Sequence, residues 1–312
     1  MTSIFTAGPV ALACGEVALA LIMIASNGLL VFVTLKAKNL DSTCNWLIAA
    51  NSACISLYAS TFFIQFGILL LRPSGIPLWH CCLLVSVPLF FLCCQNVLFP
   101  LIALDRLFGA IVPLKQMGRT YKCRFMLFAL IASSSYGSFM VAASFNKSII
   151  NLSENLVLCM TPDPAPAYFS DCNWMLNICS VVLYLALWVR VKVPSSSSTA
   201  SSVPNATVSR RVTLSLLLIF AVETFGWVSN WSVRLALAQF GASESTKWHV
   251  MSFCAYSLQV SLSLNGPILL ARSYEYRKAF QAAFFPPSSK PSFVQIVHQR
   301  NGKTMIKKPC RN

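Results

Sequence analysis

Charged residues are scarce in this sequence, and acidic residues and histidines are scarcer still. Only 11% of the 312 residues are charged, with nine acidic residues and three histidines, against roughly a quarter charged in an ordinary soluble domain. A water-soluble fold of this composition would have too little polar surface to cover itself. The few acids and histidines form no catalytic or metal-ligand pattern, so we expect no enzyme, no cofactor and no bound metal.

Hydrophobic runs, by contrast, are long and numerous. A helix needs about 20 mostly apolar residues to cross a membrane, and inside lipid every backbone amide must be paired within its own element. Seven runs meet this length, so the sequence predicts an all-α membrane protein, a seven-transmembrane helix bundle. The runs are Val10–Leu35, Asn45–Leu71, Cys81–Val112, Phe125–Phe145, Trp174–Val193, Val212–Phe240 and Trp248–Ala271.

The basic residues indicate an orientation. With the N-terminus outside, 20 of the 24 Lys and Arg residues lie in cytoplasmic segments or at the cytoplasmic ends of helices, as the positive-inside rule requires. The net charge of +15 accompanies no nucleic-acid-binding motif, so anionic membrane lipid and an acidic intracellular protein are the expected partners. We therefore predict a multi-pass plasma-membrane protein with a cytoplasmic C-terminus and no nucleic-acid partner.

No segment between the runs is long enough to fold as a soluble domain. We expect the bundle to occupy residues 1–271, a short amphipathic eighth helix on the membrane surface to occupy 272–285, and a basic, disordered cytoplasmic tail to occupy 286–312. The low-complexity stretch from Pro194 to Ser209 predicts a flexible cytoplasmic loop.

Cysteines and sequons mark the segments expected on the outer side. Because the secretory lumen is oxidising, Cys81 or Cys82 could bridge to Cys159 or to Cys172, and we favour Cys81 with Cys159. Two sequons, at Asn146 and Asn151, face the lumen in this topology and are predicted glycosylation sites.

The third run places an acid and a base far from its first cysteine. Arg106 follows Cys81 by 25 residues, a helical rise of about 37 Å, so the two lie at opposite faces of the membrane. The segment LIALDRLFGAIVPLK, from Leu101 to Lys115, resembles the Asp-Arg-Tyr motif of rhodopsin-like G-protein-coupled receptors, with Leu107 in place of the tyrosine. A snorkelling arginine beside an aspartate is the plainer interpretation of the same pair.

Other segments agree with this resemblance and narrow it. Trp227 resembles the aromatic switch of a sixth receptor helix, and the run from Asn265 through Pro267 to Leu270 resembles a degraded Asn-Pro-x-x-Tyr. The loop CMTPDPAPAYFSDCNW and the run SYEYRKAF resemble the nematode serpentine chemosensory receptors of the SRSX type.

The resemblance implies a function and roles for particular residues. Asp105 would hold Arg106 in the resting state, and Arg106 would turn toward a heterotrimeric G protein on activation, with Glu223 in the activation core. Leu270 in place of the switch tyrosine leaves open a receptor-like protein without G-protein coupling. A transporter or channel is the other alternative, although the few membrane charges are scattered rather than aligned along a path.

The ligand is expected to be a small molecule or a peptide bound near the outer side. Charged residues within the runs are costly, which singles out Glu16, Glu223 and Arg234. We predict that Arg234 meets an anionic group of the ligand, with Trp231 and Trp174 beside it. Membrane-interface anchoring is the competing interpretation for the tryptophans. For Glu223 the alternative is a protonated hydrogen-bonding group, and for Arg234 it is a side chain that snorkels outward.

Overall fold

The fold is taken from a computed structural model that describes residues 7–37, 40–71, 75–111, 119–150, 156–157, 159–160, 163–166, 168–192, 204–239 and 244–285. Ten α-helices and two short strands occupy this part of the chain. The helices are α1 (Ala7–Lys36), α2 (Thr43–Tyr58), α3 (Ser60–Leu71), α4 (Leu78–Ile111), α5 (Arg119–Ile150), α6 (Tyr168–Lys192), α7 (Pro204–Gln239), α8 (Glu244–Ser263), α9 (Asn265–Arg272) and α10 (Tyr274–Phe284). The strands β1 (Ile76–Pro77) and β2 (Leu156–Val157) pair antiparallel.

The seven predicted spans are all present, and the all-α membrane bundle is confirmed. Six stretches are long and apolar enough to cross a membrane, and α7 contains a shorter apolar segment, Leu214–Asn230. Two spans are each divided into two helices. The second breaks at Ala59 between α2 and α3, and the seventh breaks at Leu264 between α8 and α9.

One predicted loop is shorter than expected. The prediction that the flexible stretch extends to Ser209 is wrong, because α7 begins at Pro204. Proline is favoured at the first position of a helix, where its missing N–H is not needed, and the residues after it continue into the apolar run. Residues 193–203 and the predicted tail, 286–312, lie outside the described part of the chain.

Helix α4 lies at the centre of the bundle. It packs against α2, α5 and α6, while α1 packs between α2 and α8, and α7 packs against α8. Asn27 fastens the α1 contact, because its fully buried amide donates to the Leu262 carbonyl of α8 at 3.0 Å. Cys81 and Arg106 mark opposite ends of α4, and we call the corresponding ends of the bundle the disulfide end and the Arg106 end.

The predicted amphipathic helix is α10. Ser273 is its N-cap and accepts a hydrogen bond from the Tyr276 amide. Tyr276 and Ala279 are buried, whereas Arg277 and Lys278 are exposed. One face of α10 thus packs on the bundle and the basic face is free to meet lipid headgroups.

Candidate functional site

A cavity of about 70 Å³ opens within the disulfide half of the bundle. Its walls come from α1, α2, α3, α4, α6, α7 and α8, with Met160 of the α5–α6 connection closing one side. That connection is held in place by Lys147, whose ammonium donates to the carbonyl oxygens of Asp163 and Ala165 at 3.0 and 2.6 Å. The cavity is therefore framed by almost every span and by an anchored loop.

The most polar part of the cavity wall lies where α1 faces α8. Glu16 of α1 is only 3% exposed and lines the cavity together with Ser252 of α8. The two side chains are neighbours, and the buried Ser252 hydroxyl has no well-formed hydrogen bond within the described part of the chain. The rest of the wall is largely aromatic and aliphatic, and includes Tyr58, Phe62 and Trp227.

Among the predicted ligand-binding residues, Trp174 has a described side chain, and it does not line this cavity. Trp174 is 42% exposed on α6 and is not among the lining residues, a position that suits an interface anchor. Trp231 and Arg234 belong to α7, but their side chains lie outside the described residues, and their role stays a prediction. Sequence reasoning noticed Glu16 as a membrane carboxylate but gave it no role, since its neighbour Ser252 is more than 200 positions away in the chain.

Trp227 connects the cavity to a buried polar pair deeper in the bundle. It lines the cavity and is 6% exposed. Glu223 is four residues earlier on the same face of α7, about 6 Å nearer the Arg106 end. The Asn265 amide at the start of α9 donates to the Glu223 carboxylate at 2.5 Å, so this pair joins α7 to α9 directly beyond the cavity.

An aromatic cluster lies beyond this pair. Tyr184 of α6 stacks on Phe220 of α7 with ring centroids 4.1 Å apart, and Phe99 of α4 stacks on Phe220 at 5.6 Å. The fully buried Tyr184 lies within electrostatic range of both Glu223 and Arg106. The cluster therefore bridges the polar pair and the end of α4.

Arg106 and Asp105 occupy the end of α4, as the sequence predicted, and lie within electrostatic range of each other without forming a close ion pair. No Asp105–Arg106 ion pair within 4.0 Å occurs among the described residues, because adjacent helical side chains point about 100° apart. Arg106 instead contacts the Cys44 thiol of α2. Its buried Nε atom has no hydrogen-bond partner in the part of the chain that the structure describes.

Tyr276 of α10 completes the surroundings of Arg106. Its side chain is 1% exposed and lies within electrostatic range of the guanidinium. The hydroxyl donates to Asn45 of α2 at 3.4 Å, and Thr34 of α1 is a further hydrogen-bonding neighbour. Burial raises the pKa of Tyr276 above its ordinary value, so the phenol stays protonated at neutral pH and remains a donor.

The remaining predicted residues are placed as follows. Pro267 lies exposed in α9, next to Gly266, where an added Cβ would lie 2.8 Å from the Ser26 carbonyl oxygen of α1. Asn146 is exposed near the end of α5, and Asn151 lies outside the described residues. Their glycosylation stays a prediction.

A disulfide joins Cys81 of α4 to Cys159, with the Cα atoms 5.3 Å apart. Both cysteines are fully buried, and the alternative partners, Cys82 and Cys172, are free thiols. The disulfide lies beside the β1–β2 pairing and links the α5–α6 connection to the first turn of α4, at the disulfide end of the bundle.

Six apolar spans packed with a central seventh, a cavity at one end and an arginine at the other are the features of a seven-helix membrane receptor. The chain belongs to the serpentine type 7TM GPCR chemoreceptor family Srsx, whose profile matches residues 20–284. No curated protein matches the sequence. The resemblance to the SRSX type is therefore confirmed across nearly the whole bundle, and the family is one of receptors rather than of enzymes.

Proposed function

We propose that this chain is a chemosensory G-protein-coupled receptor of the plasma membrane, with its N-terminus outside and its C-terminus in the cytoplasm. A ligand enters the cavity at the disulfide end, and a heterotrimeric G protein binds at the Arg106 end. The observation that supports this proposal is the position of α7. Its residue Trp227 lines the cavity, and four residues away Glu223 bonds to Asn265 of α9.

Signal transmission follows from this arrangement. A ligand that contacts Trp227 favours one position of α7 over another and so shifts an existing equilibrium between two states of the bundle. Movement of α7 changes the Glu223–Asn265 bond and the stacking of Phe220 on Tyr184. Both changes reach the surroundings of Arg106, where an unpaired guanidinium N–H can be satisfied by a carbonyl or carboxylate of the G protein.

Membrane lipid is a second partner at the same end. Arg277 and Lys278 lie exposed on α10, on the side away from Tyr276. Basic residues at this depth attract the anionic headgroups of the inner leaflet. Lipid contact would keep α10 against the bundle and Tyr276 beside Arg106.

The test of this proposal is G-protein activation in cells that carry G-protein sensors. The full chain, Arg106→Ala and a matched control, Arg124→Ala, are exposed to panels of volatile compounds, other small molecules and peptides. Arg124 is an exposed arginine of α5, so the control removes one positive charge without touching the Arg106 surroundings. We expect the parent and the control to respond to the same compound and Arg106→Ala to lose the response at equal surface expression.

Two outcomes would contradict the proposal. Equal responses of Arg106→Ala and the parent would remove Arg106 from the coupling role. A ligand-gated current that persists without G protein would instead support a channel.

A further inference from the structure

Glu16 is the unusual residue of the cavity. Its carboxylate is in a membrane-spanning helix, is 3% exposed and borders the cavity. An ionised residue inside a membrane-spanning helix is costly, and such residues usually serve a function. A buried carboxylate in this position requires a partner.

The partner is not another lining side chain within the described part of the chain. None of the described residues that line the cavity is a Lys, Arg or His. Glu223, another buried acid of the spans, does have a partner, since Asn265 donates to it at 2.5 Å. Glu16 has Ser252 beside it, whose own buried hydroxyl lacks a well-formed hydrogen bond within the described part of the chain, and Tyr256 of α8 lies within electrostatic range.

The helix contact around Glu16 fixes the position of the carboxylate. One turn before Glu16, the Leu12 carbonyl accepts a hydrogen bond from the Tyr256 hydroxyl of α8. Gly15 lies directly against the same phenol, and a side chain there would collide with it. Since α1 and α8 meet so closely at this level, Glu16 and Ser252 are held together at the cavity wall rather than free to turn toward lipid.

The opposite walls suit an apolar body that carries a positive charge. Tyr58, Phe62, Phe169 and Trp227 all line the cavity, and aromatic faces attract cations electrostatically. The volume of about 70 Å³ corresponds to roughly five to seven water molecules. A ligand of this size is a small molecule rather than a peptide.

We propose that the cavity binds a small organic cation, a protonated primary amine with a hydrocarbon body, whose ammonium group pairs with Glu16 and Ser252. The amine neutralises the buried carboxylate and places its hydrocarbon against the aromatic walls. This inference rests on the proposed function only in taking the cavity as the ligand site. It differs from the prediction that Arg234 receives an anionic ligand, because the described cavity wall is acidic.

The test measures direct binding, without G protein, to the full chain reconstituted in lipid nanodiscs. The probes are three amines, n-butylamine, cyclohexylmethylamine and 2-phenylethylamine, each paired with the alcohol in which a hydroxyl replaces the amino group. Each pair has nearly the same size and differs in charge. We expect at least one amine to bind at least about tenfold more tightly than its alcohol, the ratio typical of a charge-assisted hydrogen bond.

Variants of Glu16 then assign that difference to its carboxylate. Glu16→Gln keeps the shape and removes the charge, so the amine should lose its advantage while the alcohol binds as before. Glu16→Asp keeps the charge and should retain part of the advantage. Asp171→Asn is the matched control, because Asp171 is an exposed acid in the first turn of α6 and its loss should leave the amine preference intact.

Several results would overturn the inference. They are a parent chain with no amine preference, an unchanged preference in Glu16→Gln, or an equal loss of preference in Asp171→Asn. Where Glu16→Gln does not fold, Ser252→Ala replaces it, with a several-fold loss of amine affinity expected and an unchanged affinity overturning the inference.

The failure of this inference and the failure of the proposed function are distinguishable. Amine preference without G-protein activation would contradict the proposed function and leave the inference intact. G-protein activation by uncharged compounds through Arg106, in a chain with no amine preference, would do the reverse.

Discussion

The two ends of the bundle are held together by different kinds of interaction. At the disulfide end, the Cys81–Cys159 bond, the β1–β2 pairing and the Lys147 contacts fix the α5–α6 connection above a cavity. At the Arg106 end, side-chain hydrogen bonds such as Tyr276 to Asn45 and Lys36 to the Ala283 carbonyl join the helices. A covalent frame tolerates an internal cavity, whereas hydrogen bonds of about 1 kcal/mol each can be exchanged for others.

The buried carboxylates of Glu16 and Glu223 follow the same division between the two ends. Glu16 lies on the cavity wall of the disulfide half, where a ligand can reach it. Glu223 is 1% exposed and bonds to Asn265. The position of Glu16 suits ligand recognition, and the position of Glu223 suits transmission of the signal between helices. The following variants test this contrast between the two ends.

The largest effect is expected at the disulfide. Cys159→Ser removes a cross-link between residues 78 positions apart, and loss of a native disulfide typically lowers the free energy of unfolding by about 2 to 5 kcal/mol. Thermal unfolding of the purified protein under non-reducing conditions measures it. Cys179→Ser, at an exposed free thiol, should unfold like the parent, and equal stability of both variants would show that the disulfide end needs no covalent frame.

The next largest effect is expected at the buried polar pair. Asn265→Leu leaves the Glu223 carboxylate without its donor, and an unsatisfied buried group costs about 1 to 3 kcal/mol. The same unfolding measurement applies, and the ligand response should fall at constant surface expression. Glu223→Gln keeps an acceptor for the Asn265 amide and should be milder. A neutral Asn265→Leu would mean that the pair does not link α7 to α9.

A smaller effect is expected from the tyrosine of the surface helix. Tyr276→Phe removes one hydroxyl that donates to Asn45, which should cost about 0.5 to 1.5 kcal/mol and raise ligand-independent G-protein activation, because the Arg106 surroundings become looser. Nucleotide exchange without ligand measures this. Tyr274→Phe is the control, since Tyr274 is 60% exposed. Unchanged ligand-independent nucleotide exchange in Tyr276→Phe would show that Tyr276 of α10 does not restrain Arg106.

The smallest effect is expected at the ion pair between Lys122 of α5 and Asp41 in the connection between α1 and α2. The Asp41 side chain is 65% exposed, and exposed pairs contribute about 0 to 1 kcal/mol. Lys122→Ala should therefore unfold close to the parent. A larger loss would mean that the Arg106 end relies on charge as well as on buried hydrogen bonds.

Much of the fold follows from the sequence because lipid imposes a simple requirement. Twenty apolar residues in a row must form a helix, so the seven spans and their order are predictable from runs alone. The 25-residue spacing of Cys81 and Arg106 along one helix likewise places them at opposite ends of the bundle. The breaks at Ala59 and Leu264 were not predicted. The second follows from Pro267, which has no N–H to donate to the carbonyl of Ser263 four residues earlier, whereas neither a glycine nor a proline is near Ala59.

The site was less predictable because its members meet only in the folded bundle. Glu16 and Ser252 come from the first and last spans, and neither belongs to a motif. Tyr276 was placed in an amphipathic helix, but periodicity indicates only a buried face and not the arginine that the face meets. The role of Asp105 in holding Arg106 stays a prediction, since the two residues interact electrostatically but form no ion pair within 4.0 Å.

Ser273 alone separates α9 from α10, and it serves as C-cap of the first helix and N-cap of the second. Because only one residue connects them, a rotation or translation of α9 also displaces α10. The two helices therefore move as one bent unit. It begins at Asn265, which bonds to Glu223, and ends at α10, where Lys36 of α1 donates to the Ala283 carbonyl. A movement at the start of α9 is thereby transmitted to α10 and to its contact with Lys36.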